Sequence, residues 1–179
     1  MNARTHTKEK KQGITLLEIV IYVAIFGIIA VIISNFLIQV VRAYNIARAE
    51  REVISNGRLL LETVTKSIAE AQEIYSPTSV FANDTGQLAL ATKSGVEPEH
   101  QTTYVDFWID NGRLWMKKEG SSAIPLSGVS VRVSKFRLDR ISQGLGRDAV
   151  KITMRVDYWN QSYSSTITIN TTTALRGSY

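Results

Sequence analysis

From Ile19 to Val41 the chain runs for 23 residues without a charged side chain. At roughly 1.5 Å of rise per residue such a run makes about 35 Å of helix, more than the roughly 30 Å core of a bilayer. An ordinary secretory signal has an apolar region of about 7–15 residues and ends at a site of small residues. This run is longer, and Ser34-Asn35-Phe36-Leu37 supplies no such site. The expectation is a single membrane-spanning helix that the mature chain retains, with an uncleaved signal anchor as the alternative.

What precedes the run is short and basic. Residues 1–13 carry Arg4, Lys8, Lys10 and Lys11 against Glu9, a net +3 of the chain's +5. The remainder therefore carries only +2, and the isoelectric point near 9.5 reports this leader more than any basic surface. Positive charge ahead of a first span predicts a cytoplasmic N-terminus with the rest of the chain outside. The chain has no cysteine. An exported domain of this kind gets no disulfide help and relies on its core and on assembly.

One charge breaks the apolar pattern at its start. A carboxylate in an apolar membrane segment costs on the order of 2.5–3.5 kcal/mol, so Glu18 calls for a partner. Either its head reaches back to water at the membrane edge, or it pairs with a cation. A cut between Gly13 and Ile14 would supply that cation, because the new terminal amine lies close to Glu18 in sequence and could meet the Glu18 of a neighbouring copy.

The stretch Gly13-Ile14-Thr15-Leu16-Leu17-Glu18, behind a basic leader and ahead of an apolar helix, closely resembles the prepilin signal of type IV pilins and type II secretion pseudopilins. The resemblance implies that a membrane-embedded prepilin peptidase cuts after Gly13 and N-methylates Ile14. It also implies that Glu18 is the assembly glutamate. Most members have phenylalanine where this chain has Ile14, and other aliphatic residues also occur there. Further along, the Asp-Asn-Gly-Arg-Leu hairpin, the Ile-Pro-Leu step before a Val-x-Val-x-Val strand, and Ala-Leu-Arg near the end resemble the J-type minor pseudopilins and related minor pilins.

The rest reads as an α+β chain with one long N-terminal helix, packed on a mostly antiparallel β-sheet head. Residues 1–13 are the leader, 14–42 the membrane and filament-core helix, 43–75 its amphipathic continuation and 76–179 the head. Helical character runs unbroken from Ile14 to about Tyr75, where Ser76-Pro77 ends it. Ile46, Val53, Ile54, Gly57, Leu60, Leu61, Val64, Ile68 and Ala71 recur at helical spacing. A coiled-coil stalk would give the same pattern, but strand signals follow at once, which favours packing on a sheet. Arg48 with Glu52, Arg58 with Glu62, and Glu62 with Lys66 stand four apart on the wet face.

In the head, Asn83 to Gly86 reads as a turn and Gln87 to Thr92 as a strand, with a polar loop from Lys93 to His100. Asp110-Asn111-Gly112 joins Thr103–Ile109 to Arg113–Lys118 in a hairpin, since Asn-Gly tolerates positive φ. Val129 to Leu138 alternates, then slips phase near Ser134 and Lys135, which predicts a bulge. After a loop from Gln143 to Arg147, Ala149 to Trp159 is the strongest strand. A turn at Asn160-Gln161-Ser162 leads into Tyr163 to Thr171, with Ile167 and Ile169 facing inward. Residues 172–179 read as a loose tail.

Catalysis needs convergent titratable groups in a pocket. His6 lies in the leader, and His100 lies in a polar loop beside Glu97 and Glu99. Asn83, Asp84, Thr85 and Gly86 fall short of the six to eight oxygens that calcium takes. Gly144 and Gly146 lack the context of a phosphate loop. The reading is therefore of a structural protein with no catalytic residue, metal site or cofactor. Trp108, Trp115 and Trp159, near Arg113, Lys117 and Lys118, are where single-stranded nucleic acid would stack. Cross-strand pairing is the simpler reading of them.

The expected function is a minor pilin or pseudopilin of a type IV pilus or type II secretion pseudopilus. Its expected partners are the prepilin peptidase, other pilin or pseudopilin subunits, the inner-membrane assembly platform and the lipid bilayer. A DNA-uptake minor pilin and a single-pass anchored binding domain that never assembles are the alternatives.

Overall fold

The computed structural model describes residues 15–93, 102–143, 147–159 and 164–175. The expected leader, Gly13, Ile14, His100 with Glu97 and Glu99, the glycines 144 and 146, and the turn at 160–162 lie outside them. The chain divides into two compact units, Met1–Ala43 and Tyr44–Tyr179. One helix, α1 (Leu16–Glu70), contributes to both.

In the first unit the side chains of α1 are uncovered. Every large apolar residue from Leu16 to Val41 is exposed. In the second unit α1 turns one face inward: Ala49, Val53, Gly57, Leu60, Val64 and Ile68 are buried, at steps of three and four. Val53, Gly57 and Val64 are weak helix formers, so this half owes its stability to packing more than to propensity. Each fully buried Leu, Ile or Val contributes about 1.5–3 kcal/mol, far above the few tenths lost in propensity. Two members of the expected stripe are not in it: Ile46 and Ile54 are 47% and 39% exposed. The buried face steps 49-53-57-60-64-68, and both residues fall beside it. The expected helix pairs four apart are not among the close ion pairs of the described residues, which lie on the β-strands and the turn at Asp84.

The helix stops at Glu70, earlier than Ser76-Pro77 suggested. Its last turn tightens, with the Ala71 N–H donating to the Ile68 carbonyl at 3.2 Å, and the Thr92 hydroxyl donates to the Glu70 carbonyl at 3.4 Å. The next residues are captured by a strand. Gln72 N–H donates to Ala91 O and Tyr75 N–H to Ala89 O, each at 2.9 Å. Glu73–Ile74 thus becomes a short strand, β1. A tertiary pairing, invisible to helical periodicity, overrides local propensity here.

The head holds two antiparallel sheets where a single sheet was expected. The first orders β1, β2 (Gln87–Thr92), β3 (Thr103–Asp110), β4 (Arg113–Lys118) and β5 (Ile124–Pro125) side by side. The second orders β6 (Val131–Gln143), β7 (Arg147–Tyr158) and β8 (Thr166–Ala174). The β3–β4 hairpin is as expected, with Asn111 and Gly112 at φ 50° and 72°, the left-handed pair that a two-residue turn demands. The bulge is also where the phase slip put it, between Val133 and Lys135.

Three strand limits differ from expectation. Val129 precedes β6 and is 73% exposed. β6 and β7 run on until Gln143 pairs with Arg147, which shortens the expected loop. β8 extends through Ala174 into the expected tail, and Leu175 is buried, its N–H donating to the Asp148 carbonyl at 3.0 Å.

The two sheets are stitched together along the edge of β6 that faces away from β7. Gly86 N–H donates to Phe136 O at 2.8 Å, Phe136 N–H to Asp84 O at 2.7 Å, Ala82 N–H to Leu138 O at 2.8 Å, and Val133 N–H to Gly112 O at 2.8 Å. Thr85 and Phe136 form a parallel bridge. Gly86 is required there, because a Cβ would stand 2.7 Å from the Phe136 carbonyl and 3.1 Å from that of Val80. Phe107, Phe136, Leu88, Leu138, Ile152 and Met154 meet Leu60 and Ile68 in one core.

Candidate functional site

The start of α1 carries the chemistry that the sequence singles out. Thr15 precedes the helix and caps it: the Glu18 N–H donates to Thr15 Oγ1 at 3.3 Å and to the Thr15 carbonyl at 3.1 Å. Thr15-Leu16-Leu17-Glu18 is the Thr-x-x-Glu pattern of a capping box. Glu18 also places its negative charge in the first turn, where the helix dipole favours it. Its side chain does not complete the box. Glu18 Oε1 instead accepts the Tyr22 hydroxyl at 2.9 Å. Four residues along a helix is the spacing at which one side chain reaches back over another. The sequence reading missed both contacts, although the Thr-x-x-Glu pattern and the i, i+4 spacing were there to be read.

Beyond Tyr22 the helix offers no polar side chain until Ser34, whose hydroxyl donates to the Ala30 carbonyl at 2.8 Å and so satisfies itself. At Gly27 a Cβ would meet nothing. The helix is long and apolar enough to cross a membrane, and none of its apolar stretch is buried within the chain. An apolar surface on this scale is shed into lipid or onto other helices.

The other candidates do not converge on one site. Trp108 and Trp115 are direct cross-strand partners, with the Trp115 indole N–H donating to the Asp110 carbonyl at 3.3 Å. Trp159 belongs with the second sheet, 64% exposed, its ring 5.2 Å from the Arg132 guanidinium. Asp84 accepts Lys135 Nζ at 3.0 Å, with Arg137 at 3.7 Å, and these cations hold its carboxyl below the usual range. No cluster of three or more metal-binding side chains occurs among the described residues. A groove of about 370 Å³ is lined by Tyr75, Tyr104, Asp106, Lys117 and Glu119. Burial pushes Asp106 up, against the opposing charge of its cross-strand partner Lys117. The Glu119 carboxylate there accepts the Tyr104 N–H at 3.2 Å, and Tyr75 meets the Tyr104 ring edge-on. These contacts tie the hairpin together and leave no set of groups aimed at a common point.

Residues 8–34 match the model of the prokaryotic N-terminal methylation motif. The match spans the end of the basic stretch, Gly13, Ile14, Glu18, Tyr22 and most of the apolar run, and it supports a type IV pilin-like or pseudopilin subunit processed at its N-terminus. A membrane-anchored pilin fits both that motif and the uncovered helix. No curated protein and no solved structure matches the chain.

Proposed function

We propose that the chain is a minor pilin or pseudopilin, a structural subunit of a type IV pilus or type II secretion pseudopilus. Prepilin peptidase removes residues 1–13 and methylates the amine of Ile14. The observation that carries this reading is the capped first turn of α1, which holds Glu18 as the one charge between Leu16 and Val41, a stretch of helix whose large apolar side chains are all uncovered. Before assembly the apolar side chains rest in lipid, with the head outside the cytoplasmic membrane. On assembly they exchange lipid for neighbouring helices. Glu18 then meets the terminal amine of an adjacent subunit. In an apolar bundle an unpaired charge is costly, so such a pair fixes the register of one helix against the next.

The mass of the mature N-terminal peptide, after co-expression with a prepilin peptidase, tests the proposal. The expected peptide begins at methylated Ile14, and Gly13→Ala leaves the leader in place. Glu18→Ala is expected to be cut normally but to enter filaments on the order of 100-fold less. An intact leader in the wild-type chain, where a control prepilin is cut, would leave a signal-anchored head with no reason for Glu18.

A further inference from the structure

We infer that Tyr22 is a positioning residue for Glu18, holding its carboxylate for the neighbouring subunit's amine. This rests on the proposed assembly role of Glu18 and deepens it. In lipid a carboxylate finds no water, and each unsatisfied oxygen is expensive. From Ile19 to Ile33 every side chain but one is apolar or glycine, so Tyr22 is the sole side-chain donor in the four turns that follow Glu18. Its hydroxyl takes Oε1 at 2.9 Å. A hydrogen bond to a charged acceptor is roughly twice as strong as a neutral one. The Thr15 cap fixes the backbone of the same residue, so Glu18 is held at both ends. With Oε1 occupied, the carboxylate is aimed in one direction and Oε2 is left for the incoming amine. The hydroxyl thus shelters the charge before assembly and selects its geometry during it.

The test compares filament incorporation in the native host for four full-length chains, reading leader removal and N-terminal methylation on the same samples. Tyr22→Phe removes only the hydroxyl. Hydrogen bonds between membrane-buried groups predict a loss of roughly 3- to 15-fold in incorporation, with cleavage and membrane level unchanged. Adding Ile21→Tyr to Tyr22→Phe returns a hydroxyl three residues from Glu18, still on its face, and is expected to recover most of the loss. Adding Val23→Tyr instead returns it five residues away, off that face, and is expected to recover none. Wild-type incorporation by Tyr22→Phe, no recovery with tyrosine at 21, or equal recovery at 23 would each overturn the inference alone. An uncut wild-type leader would overturn the proposed function and this inference with it.

Discussion

At Gly57 the helix passes close to the side chains of β8. An added Cβ would stand 2.9 Å from Ile169 Cδ1 and 3.5 Å from Ile167 Cγ2. The nearer atom is the swinging end of a side chain, so alanine can be accommodated. Alanine also gains about 1 kcal/mol in helix propensity, which offsets the strain. Gly57→Ala is therefore expected to change stability little, whereas Gly57→Leu must force helix and β8 apart, at about 1–3 kcal/mol. Urea unfolding followed by far-UV circular dichroism separates the two outcomes.

At the scale of elements, β8 is an outer strand held to the second sheet by β7 alone, and Asp157 secures its beginning. Burial works to raise the Asp157 carboxyl, but hydrogen bonds from Ser134, Thr166 and Arg155 outweigh it and hold it below its ordinary value. The Thr166 hydroxyl donates at 2.7 Å and Arg155 Nε at 3.2 Å. A depressed carboxylate contributes stability above its unfolded value, near pH 4, and loses it as pH falls through the folded one. Asp157→Asn is expected to cost about 0.5–1.5 kcal/mol at pH 7. The gap between the two chains should narrow as pH falls below about 4 and through the folded value. Thermal melts at pH 7, 5 and 3 check both points.

The strands also mark what a sequence can and cannot tell. The β3–β4 turn and the β6 bulge were legible because each has a local cause: positive φ at Asn111 and Gly112, and a break in side-chain alternation at Ser134. The end of α1 was not, because Ala89 and Ala91 of β2 take the backbone of Gln72 and Tyr75 from far along the chain. The division into two sheets was hidden for the same reason. Nothing local to Ala82, Asp84 or Gly86 announces that their partners are Phe136 and Leu138. At the candidate site Glu18 stood out as a lone charge. Tyr22 did not, since a tyrosine among apolar residues looks like one more of them.

For the whole chain, the division at Ala43 separates two demands on one polypeptide. Residues 16–41 need an apolar surrounding, while the second unit buries its own core around Leu60, Phe107 and Phe136. A chain beginning at Tyr44 is expected to stay soluble without detergent. The full-length chain is expected to need detergent or lipid. Sedimentation of both in detergent-free buffer makes the comparison.

The stitching along β6 bears on how that second unit comes apart. β6 is hydrogen-bonded on one side to β7 and on the other to the turn at Ala82–Gly86 and the tip of the β3–β4 hairpin. Neither sheet can loosen along β6 without stripping partners from the other. Despite having two sheets, the second unit should behave as one cooperative whole, with a single melting transition and amide protons in β2 and β7 that exchange at a common slow rate.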